Sequence, residues 1–502
     1  MDVTEYEEDF RDPRSRAEFA ALRARAAWSA SVAMPEGTTT ADLARERLAM
    51  PPDQCGTARN TQYARLGLFI AMQSSLVVAM WDGIDTGKPG GTSAVVGFCR
   101  EGRVDAGTIP FRGSVKALEP SEPLAVAWIP TRREGSPEPS PRAGPVAPAL
   151  DARLRAAWSQ SAPDDAPLPV RWRDLATELR HLESLNEAIA RTETRSTTGS
   201  PPANGTPFDL LQSRLDAAAG RSKVLAMRAM KLLVAVIALV VLSLQATMAW
   251  SWWAWPTIYL LGLLAALGFW TLLRRRGIER RSADLRLLAE TMRVQAAWWR
   301  AGIREQASDH FLAHRAIAIP DLRLLLRGAS LRGFEVAESA GGDDLAALRA
   351  TKDGWIDTQS SYMNRKCTIL DARMRRGGLL LRGLASLVIL AALASLALTL
   401  ADETPLSERL FAWVDFSCGA TLTISLAVGL WQRIRGDRED LRRYEAMRKI
   451  FALASRRIED ALRRGDAAAA REVIRAAGKE ALDEQSAWHA LHRETFDELP
   501  VG

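Results

Sequence analysis

Four long apolar runs stand out in the pattern of hydrophobic and polar positions along the chain. Each has the roughly 17 to 25 predominantly apolar residues that an α-helix needs to cross a bilayer. The short loops SWWA and ADETPLSER join the runs in pairs, as in tight helical hairpins. The pattern predicts an all-α membrane module with four transmembrane helices in two hairpins, and the alternative is a set of buried helices in a soluble protein. The runs cover 232–250, 255–273, 379–400 and 411–431.

Basic residues predict the orientation of these helices. Arginine and lysine flank each hairpin at the ends that lie away from its connecting loop. The two short loops, in contrast, hold one arginine between them. Because basic flanks stay in the cytoplasm, both termini and the 274–378 segment are expected there. The formal net charge is +6, and the arginines beside the apolar runs account for it. These arginines are interpreted as orientation signals and as contacts with lipid head groups. The lipid bilayer is therefore the expected partner, and nucleic acid is not.

A weak internal repeat accompanies the hairpins. ADLRLLAETMRVQ follows the first hairpin at a distance similar to that of EDLRRYEAMRKIF after the second. The pattern favours a unit of one hairpin and one basic amphipathic helix, used twice. Convergence on arginine-rich helices next to a membrane is the alternative.

The fourth apolar run carries small or hydroxyl side chains at every fourth position, which places them along one face of the helix. One interpretation is close packing between helices, including helices of other copies in a homo-oligomer. The other is a wet, pore-lining face. Arg382 and Asp415 are the ionisable residues within the runs, so a selective transporter is poorly supported. The residues of this stripe are Ser417, Thr421, Ser425 and Gly429.

The N-terminal part predicts a different architecture. Stretches 74–81 and 123–130 have the composition of buried parallel strands, and Thr92–Arg100 that of a helix behind a Gly-rich turn. Backbone amides in such a turn can bind phosphate at the helix N-terminus. PGGT lacks the glycine spacing of the Rossmann and Walker motifs, however, and the alternative is a turn with a purely structural role. Two strands are too few for a complete doubly wound sheet. The candidate ligand-binding residues are Asp82, Gly83, Gly90, Gly91, Thr92 and Ser93.

The predicted fold class is therefore mixed, with a partial α/β Rossmann-like N-terminal domain and an all-α membrane module with cytosolic helices. Pro-rich stretches mark the linker between them. The predicted segments are 1–132 (partial α/β domain), 133–170 (linker), 171–230 (helical connector), 231–273 (hairpin 1), 274–378 (cytosolic helices), 379–431 (hairpin 2) and 432–502 (C-terminal cytosolic helices).

Catalytic and metal-binding patterns are not visible. The 4 cysteines are scattered without a CxxC pair, and HFLAH lacks the glutamate of a zinc-protease motif. No serine stands in a nucleophile elbow. The sequence predicts neither an enzyme nor a metal or cofactor site, and leaves a nucleotide-derived ligand as the candidate small molecule.

SSLVVAMWDGIDTGKPGGTSAVVGFCREG and the later EPLAVAWIP resemble the SLOG superfamily of Rossmann-like nucleotide sensors. On that resemblance the family's first strand and Gly-rich loop are missing here, so the domain is expected to be N-terminally truncated. The phosphoribohydrolase branch of the superfamily has a glutamate after PGGxGT, whereas Ser93, Ala94, Val95 and Val96 follow PGGT in this chain. Sensing is therefore favoured over hydrolysis.

LRLLAETMRVQAAWW and GKEALDEQSAWHALHRE resemble the helices that flank the membrane segments of SLATT proteins, the SMODS- and SLOG-associating transmembrane effectors. The resemblance implies a bacterial defence effector in the inner membrane, in which a nucleotide second messenger releases an oligomeric pore or membrane-disrupting activity. The alternatives are a membrane-anchored scaffold without a pore and, ranked lowest, a nucleotide-processing enzyme. The marker residues are Glu290, Arg293, Gln295, Trp298, Trp488 and Arg493, together with Leu288 and Ala289.

Overall fold

The chain divides into two compact units, one of residues 1–211, 291–296 and 304–341, and one of residues 212–290, 297–303 and 342–502. The computed structural model describes residues 3–10, 12–26, 32, 34, 37–51, 56–74, 76–85, 87–101, 125–131, 170–193, 207–250, 253–311, 322–323, 325–330, 344–400 and 405–497. Nearly all of the predicted 133–170 linker lies outside these residues.

The first unit is mainly helical in its described part. Its two strands, β1 (Leu76–Trp81) and β2 (Ala125–Pro130), pair in parallel, in a register that runs from Leu76 opposite Ala125 to Trp81 opposite Pro130. The helices are α1 (Val3–Glu7), α2 (Pro13–Arg25), α3 (Thr40–Ala49), α4 (Thr57–Met72), α5 (Thr92–Glu101) and α6 (Val170–Glu193), with a 3₁₀ turn at Ala307–His310.

The prediction of a Rossmann-like α/β domain is wrong. The described residues contain one pair of six-residue strands and no larger sheet. A doubly wound sheet is covered by helices on both faces, but the side chains of Val78 and Met80 on β1 are 57% and 65% exposed. Only the other face packs, in a small cluster around Val77, Ala79 and Cys99. The apolar composition predicted the strands correctly but not the uncovered face.

The second unit contains the helices of the predicted membrane module. The apolar runs lie in α7 (Pro207–Ala249), α8 (Ala254–Arg276), α11 (Thr358–Thr399) and α12 (Pro405–Arg435), as predicted. The other helices are α9 (Ile278–Arg300), α10 (Asp344–Thr351), α13 (Asp437–Arg463) and α14 (Ala467–Asp497), and a π-helical stretch, Lys352–Asp357, joins α10 to α11.

Four described helices are long and apolar enough to cross a membrane. Helices buried in a soluble core would cover their apolar side chains, but the most apolar windows of these four are only 28%, 6%, 0% and 6% buried. An apolar surface of this extent needs a lipid environment or partner helices. The exposure therefore favours the membrane prediction over the soluble alternative.

The two turns that lead out of the hairpins are built alike. Gly277 ends α8 with φ +52°, and Gly436 ends α12 with φ +62°. Each glycine amide donates to the carbonyl three residues earlier, and each glycine carbonyl accepts from the amide four residues later. Only glycine adopts this left-handed conformation without strain. The RxRG sequence at both turns, 274–277 and 433–436, adds to the predicted repeat.

Candidate functional site

The predicted ligand loop between β1 and α5 is held by its own side chains. Asp82 is buried, and its Oδ1 accepts from the Ile84 amide at 3.0 Å. This Asx turn fixes the chain after Gly83, which has φ +83°. Asp82 and Gly83 therefore shape the turn directly after β1.

The Gly-rich part of the loop has a packing role. A Cβ on Gly90 would lie 2.2 Å from Tyr63 Cβ on α4, so only glycine fits at this close approach. The amide of Gly91 donates to the Lys88 carbonyl at 3.0 Å, and Thr92 begins α5. At least one amide predicted to bind phosphate is thus already used within the loop.

A carboxylate lies beside the start of α5. Asp85 accepts hydrogen bonds from the Gly87 amide, at 2.9 Å, and from the Ser93 hydroxyl, and these bonds hold the pKa of Asp85 below its ordinary value. Its negative charge disfavours a phosphate at the same place. The structure brings the six predicted ligand residues onto one connection, but their contacts favour the structural alternative.

Inside the predicted membrane module, α7 and α12 are joined by a polar contact that the sequence analysis missed. The Gln245 amide donates to the Gly419 carbonyl and to Thr423 Oγ1, both at 3.0 Å. A Cβ on Gly419 would lie 2.8 Å from Gln245 Cδ, so the glycine makes room for the amide. The indole of Trp250 continues the contact against Trp413, at a centroid distance of 4.9 Å.

The predicted stripe lies on another face of α12. Ser417 is exposed, and Thr421, Ser425 and Gly429 are half-buried. The three hydroxyls each donate to the carbonyl four residues earlier, at 2.7–2.8 Å. A Cβ on Gly429 would meet no atom within 4 Å. The stripe is therefore satisfied in its hydrogen bonds and open to a neighbour or to lipid.

The helices that carry the marker residues pack antiparallel. Asp284 and His489, both buried, form a hydrogen-bonded pair at 2.5 Å. Further along, the fully buried Trp298 lies so close to Gly478 that an added Cβ would be 2.2 Å from its Nε1. The two stretches identified from the sequence thus form one interface between α9 and α14.

The remaining marker residues have different surroundings. The fully buried Gln295 accepts from the Ala307 amide at 2.7 Å and donates to the Glu305 carbonyl at 3.0 Å, which fixes the chain after α9. Glu290 and Arg293 lie half-buried on α9. Arg493 belongs to α14, and its side chain is outside the described residues.

Trp488 belongs to a group of basic and aromatic side chains, which we call the juxtamembrane cluster. The guanidinium of Arg286 lies 4.8 Å from the centroid of its ring, and that of Arg443 lies 5.5 Å away. Arg286 Nη2 donates to the Tyr444 hydroxyl at 3.4 Å, and the rings of Tyr444 and Tyr362 meet edge to face. Lys366 Nζ lies 5.3 Å from the centroid of the Tyr362 ring, and Lys223 is close enough to Arg286 to interact with it electrostatically. The cluster comprises Lys223, Arg286, Tyr362, Lys366, Arg443, Tyr444 and Trp488, from five helices.

Positive charge in this cluster is incompletely neutralised. Arg443 pairs with Asp440 at 3.2 Å and Glu484 at 2.7 Å. Burial nevertheless raises the pKa of Glu484. Desolvation, followed by repulsion from Arg286, lowers the pKa of Lys223 to about 8. Desolvation is the larger cause of this shift, and the nearby carboxylate of Asp440 opposes it.

Comparisons with known proteins do not identify the chain. No protein-family model matches it, and no curated protein or solved structure matches it either. The SLOG and SLATT resemblances therefore stay predictions. Among the residues that the structure describes, no group of three or more His, Cys, Asp or Glu side chains could hold a metal ion.

Proposed function

We propose that the chain is a multi-pass effector of a bacterial inner membrane, with both termini in the cytoplasm, that permeabilises the bilayer as a homo-oligomer in response to a cytosolic anion. The observation that carries the proposal is the direct connection between the apolar helices and the juxtamembrane cluster. Helices α7 and α11 run from the cluster into apolar runs without a break. Single glycines, Gly277 and Gly436, join the other two apolar helices to α9 and α13.

This connection supports a coupling between ligand and membrane. Cluster residues lie on helices that continue, directly or after one residue, into all four apolar runs. A change in the distances between the cluster residues must therefore be absorbed at the two glycine turns or transmitted to the apolar helices. The resemblance of α9 and α14 to SLATT helices favours the same proposal.

The stripe on α12 supports self-association. Four helices of one chain cannot enclose a wide pore, so several copies are required. Small side chains let helices approach closely, and hydroxyls already bonded to their own backbone add no unsatisfied donor to the contact. Thr421 and Ser425 have these properties.

Release of a trapped dye from liposomes containing the full chain tests the proposal. We expect Thr421→Leu or Ser425→Leu to reduce release strongly, because leucine fills the face on which copies would meet. Ser386→Leu is the matched control, since Ser386 is an exposed hydroxyl on α11 that likewise bonds to the carbonyl four residues earlier. Equal release from all three variants and the unmodified chain would argue against association through the stripe.

A further inference from the structure

The cationic residues of the juxtamembrane cluster all lie a short distance along the chain from an apolar run. Lys223 precedes the first run by nine residues, and Arg286 follows the second by thirteen. Lys366 precedes the third run, and Arg443 follows the fourth. In a chain with four crossings, these positions are all on the same side of the membrane. By the positive-inside rule, that side is the cytosol.

Cation pairing in the cluster is incomplete. Carboxylates lie nearby, since Glu290 attracts Arg286 and Asp440 attracts Lys223. Among the described residues, however, no ion pair within 4.0 Å is found for Lys223, Arg286 or Lys366. Arg286 Nε and Arg443 Nη1 are buried and have no hydrogen-bond partner. Buried donors without partners are costly. An anionic ligand that accepted from them would remove this cost.

The aromatic members suit a ligand that has a planar part as well as charge. Trp488 lies beneath both guanidinium groups, and the ring of His492 lies 4.1 Å from it, centroid to centroid. Tyr444 and Tyr362 supply phenol hydroxyls at the same place. Arginine forks bind phosphate oxygens in pairs, and aromatic faces stack on planar rings.

Distance from the bilayer decides between a lipid head group and a free ligand. At 1.5 Å per residue, nine and thirteen residues of unbroken helix place Lys223 on α7 and Lys366 on α11 about 13 to 20 Å beyond the hydrocarbon edge. The polar head-group layer extends only about 5 to 8 Å from that edge. Phosphates of bilayer lipids therefore stop short of the cluster, and a soluble ligand can reach it.

We infer that the juxtamembrane cluster is the binding site for a soluble phosphate-bearing ligand with a planar ring, of the nucleotide class. This inference deepens the proposed function, because it assigns the signal to Arg286, Arg443 and their neighbours rather than to the loop at Gly90 and Gly91. It rests on the proposed function only for the claim that ligand binding permeabilises the membrane. Binding is measurable whether or not the membrane leaks.

The test uses the full chain in nanodiscs of phosphatidylcholine, with ATP and inorganic pyrophosphate as probes in calorimetric titrations. We expect saturable binding of both, with ATP the tighter because its base can stack. Arg286→Gln should weaken binding at least tenfold, since a charge-assisted hydrogen bond is lost. Lys223→Gln should weaken it several-fold, and because glutamine keeps a polar side chain of similar length, this variant retains the fold.

Arg456→Gln is the matched control, because it removes one positive charge from an exposed position of α13 outside the cluster. We expect its affinity to stay within twofold of the unmodified chain. Equal losses in Arg456→Gln and Lys223→Gln would overturn the assignment, as would the absence of saturable binding for both probes. A different outcome would assign the site to a lipid head group instead. In that outcome the probes do not bind in phosphatidylcholine nanodiscs, and their only effect is to compete with phosphatidylglycerol in nanodiscs that contain this lipid.

Discussion

Replacement of Gln245 by leucine tests how the apolar helices are held together. The substitution removes two hydrogen bonds from the Gln245 amide, one to the Gly419 carbonyl and one to Thr423 Oγ1. Interhelical hydrogen bonds in membranes contribute about 0.6 kcal/mol on average and up to about 1.7 kcal/mol. The Thr423 hydroxyl still donates to the Gly419 carbonyl at 2.9 Å, so that carbonyl keeps a partner. We therefore expect a loss of about 1 kcal/mol in the free energy of unfolding.

Reversible unfolding by sodium dodecyl sulfate in mixed micelles measures this loss. Ser417→Ala is the control, because the Ser417 hydroxyl bonds only within its own helix and the residue is exposed. A double-mutant cycle with Thr423→Val should show coupling of about 0.5 kcal/mol or more, as residues in contact do. If Gln245→Leu unfolds like Ser417→Ala, or if the cycle is additive, the contact does not hold α7 against α12.

Three further predictions concern charge and glycine. ATP affinity should fall as the pH rises through about 8, the pKa of Lys223, because the lysine then loses its proton; Lys223→Gln should flatten this pH dependence in calorimetric titrations. Gly436→Ala should lower the unfolding free energy by about 1 kcal/mol, since its left-handed backbone disfavours alanine, whereas Gly220→Ala inside α7 should raise it. Gly90→Ala should destabilise the first unit by about 1 to 3 kcal/mol through its clash with α4, and Gly97→Ala, which meets nothing within 4 Å, should not; thermal unfolding compares the two.

The apolar helices could be predicted from sequence because their signal is local. The length and apolar composition of a run such as 379–400 can be read directly from the sequence, and the structure places all but its last residue in a single helix. The N-terminal prediction failed because composition does not say what covers a strand. Residues 76–81 have the β-branched and apolar character of a buried strand, yet Val78 and Met80 face outward.

The juxtamembrane cluster was missed for a different reason. Lys223, Arg286 and Arg443 are far apart in the chain, and basic residues near apolar runs already have an explanation as orientation signals. Only the packing of α9 and α13 against α14 shows that Trp488 lies beneath two of these cations. The pair that sequence resemblance singled out, Trp298 and Trp488, thus marks a helix interface, and one of its members reaches the cluster.

The dependence of dye release on the number of copies per liposome tests the central claim most directly. If several copies of the four-helix module are needed to permeabilise the bilayer, the release rate in saturating ATP should rise more steeply than in proportion to copy number, because association follows mass action. Protease protection of the short loops establishes that the protein is inserted. Dye retention at every copy number, with insertion shown, would contradict the account.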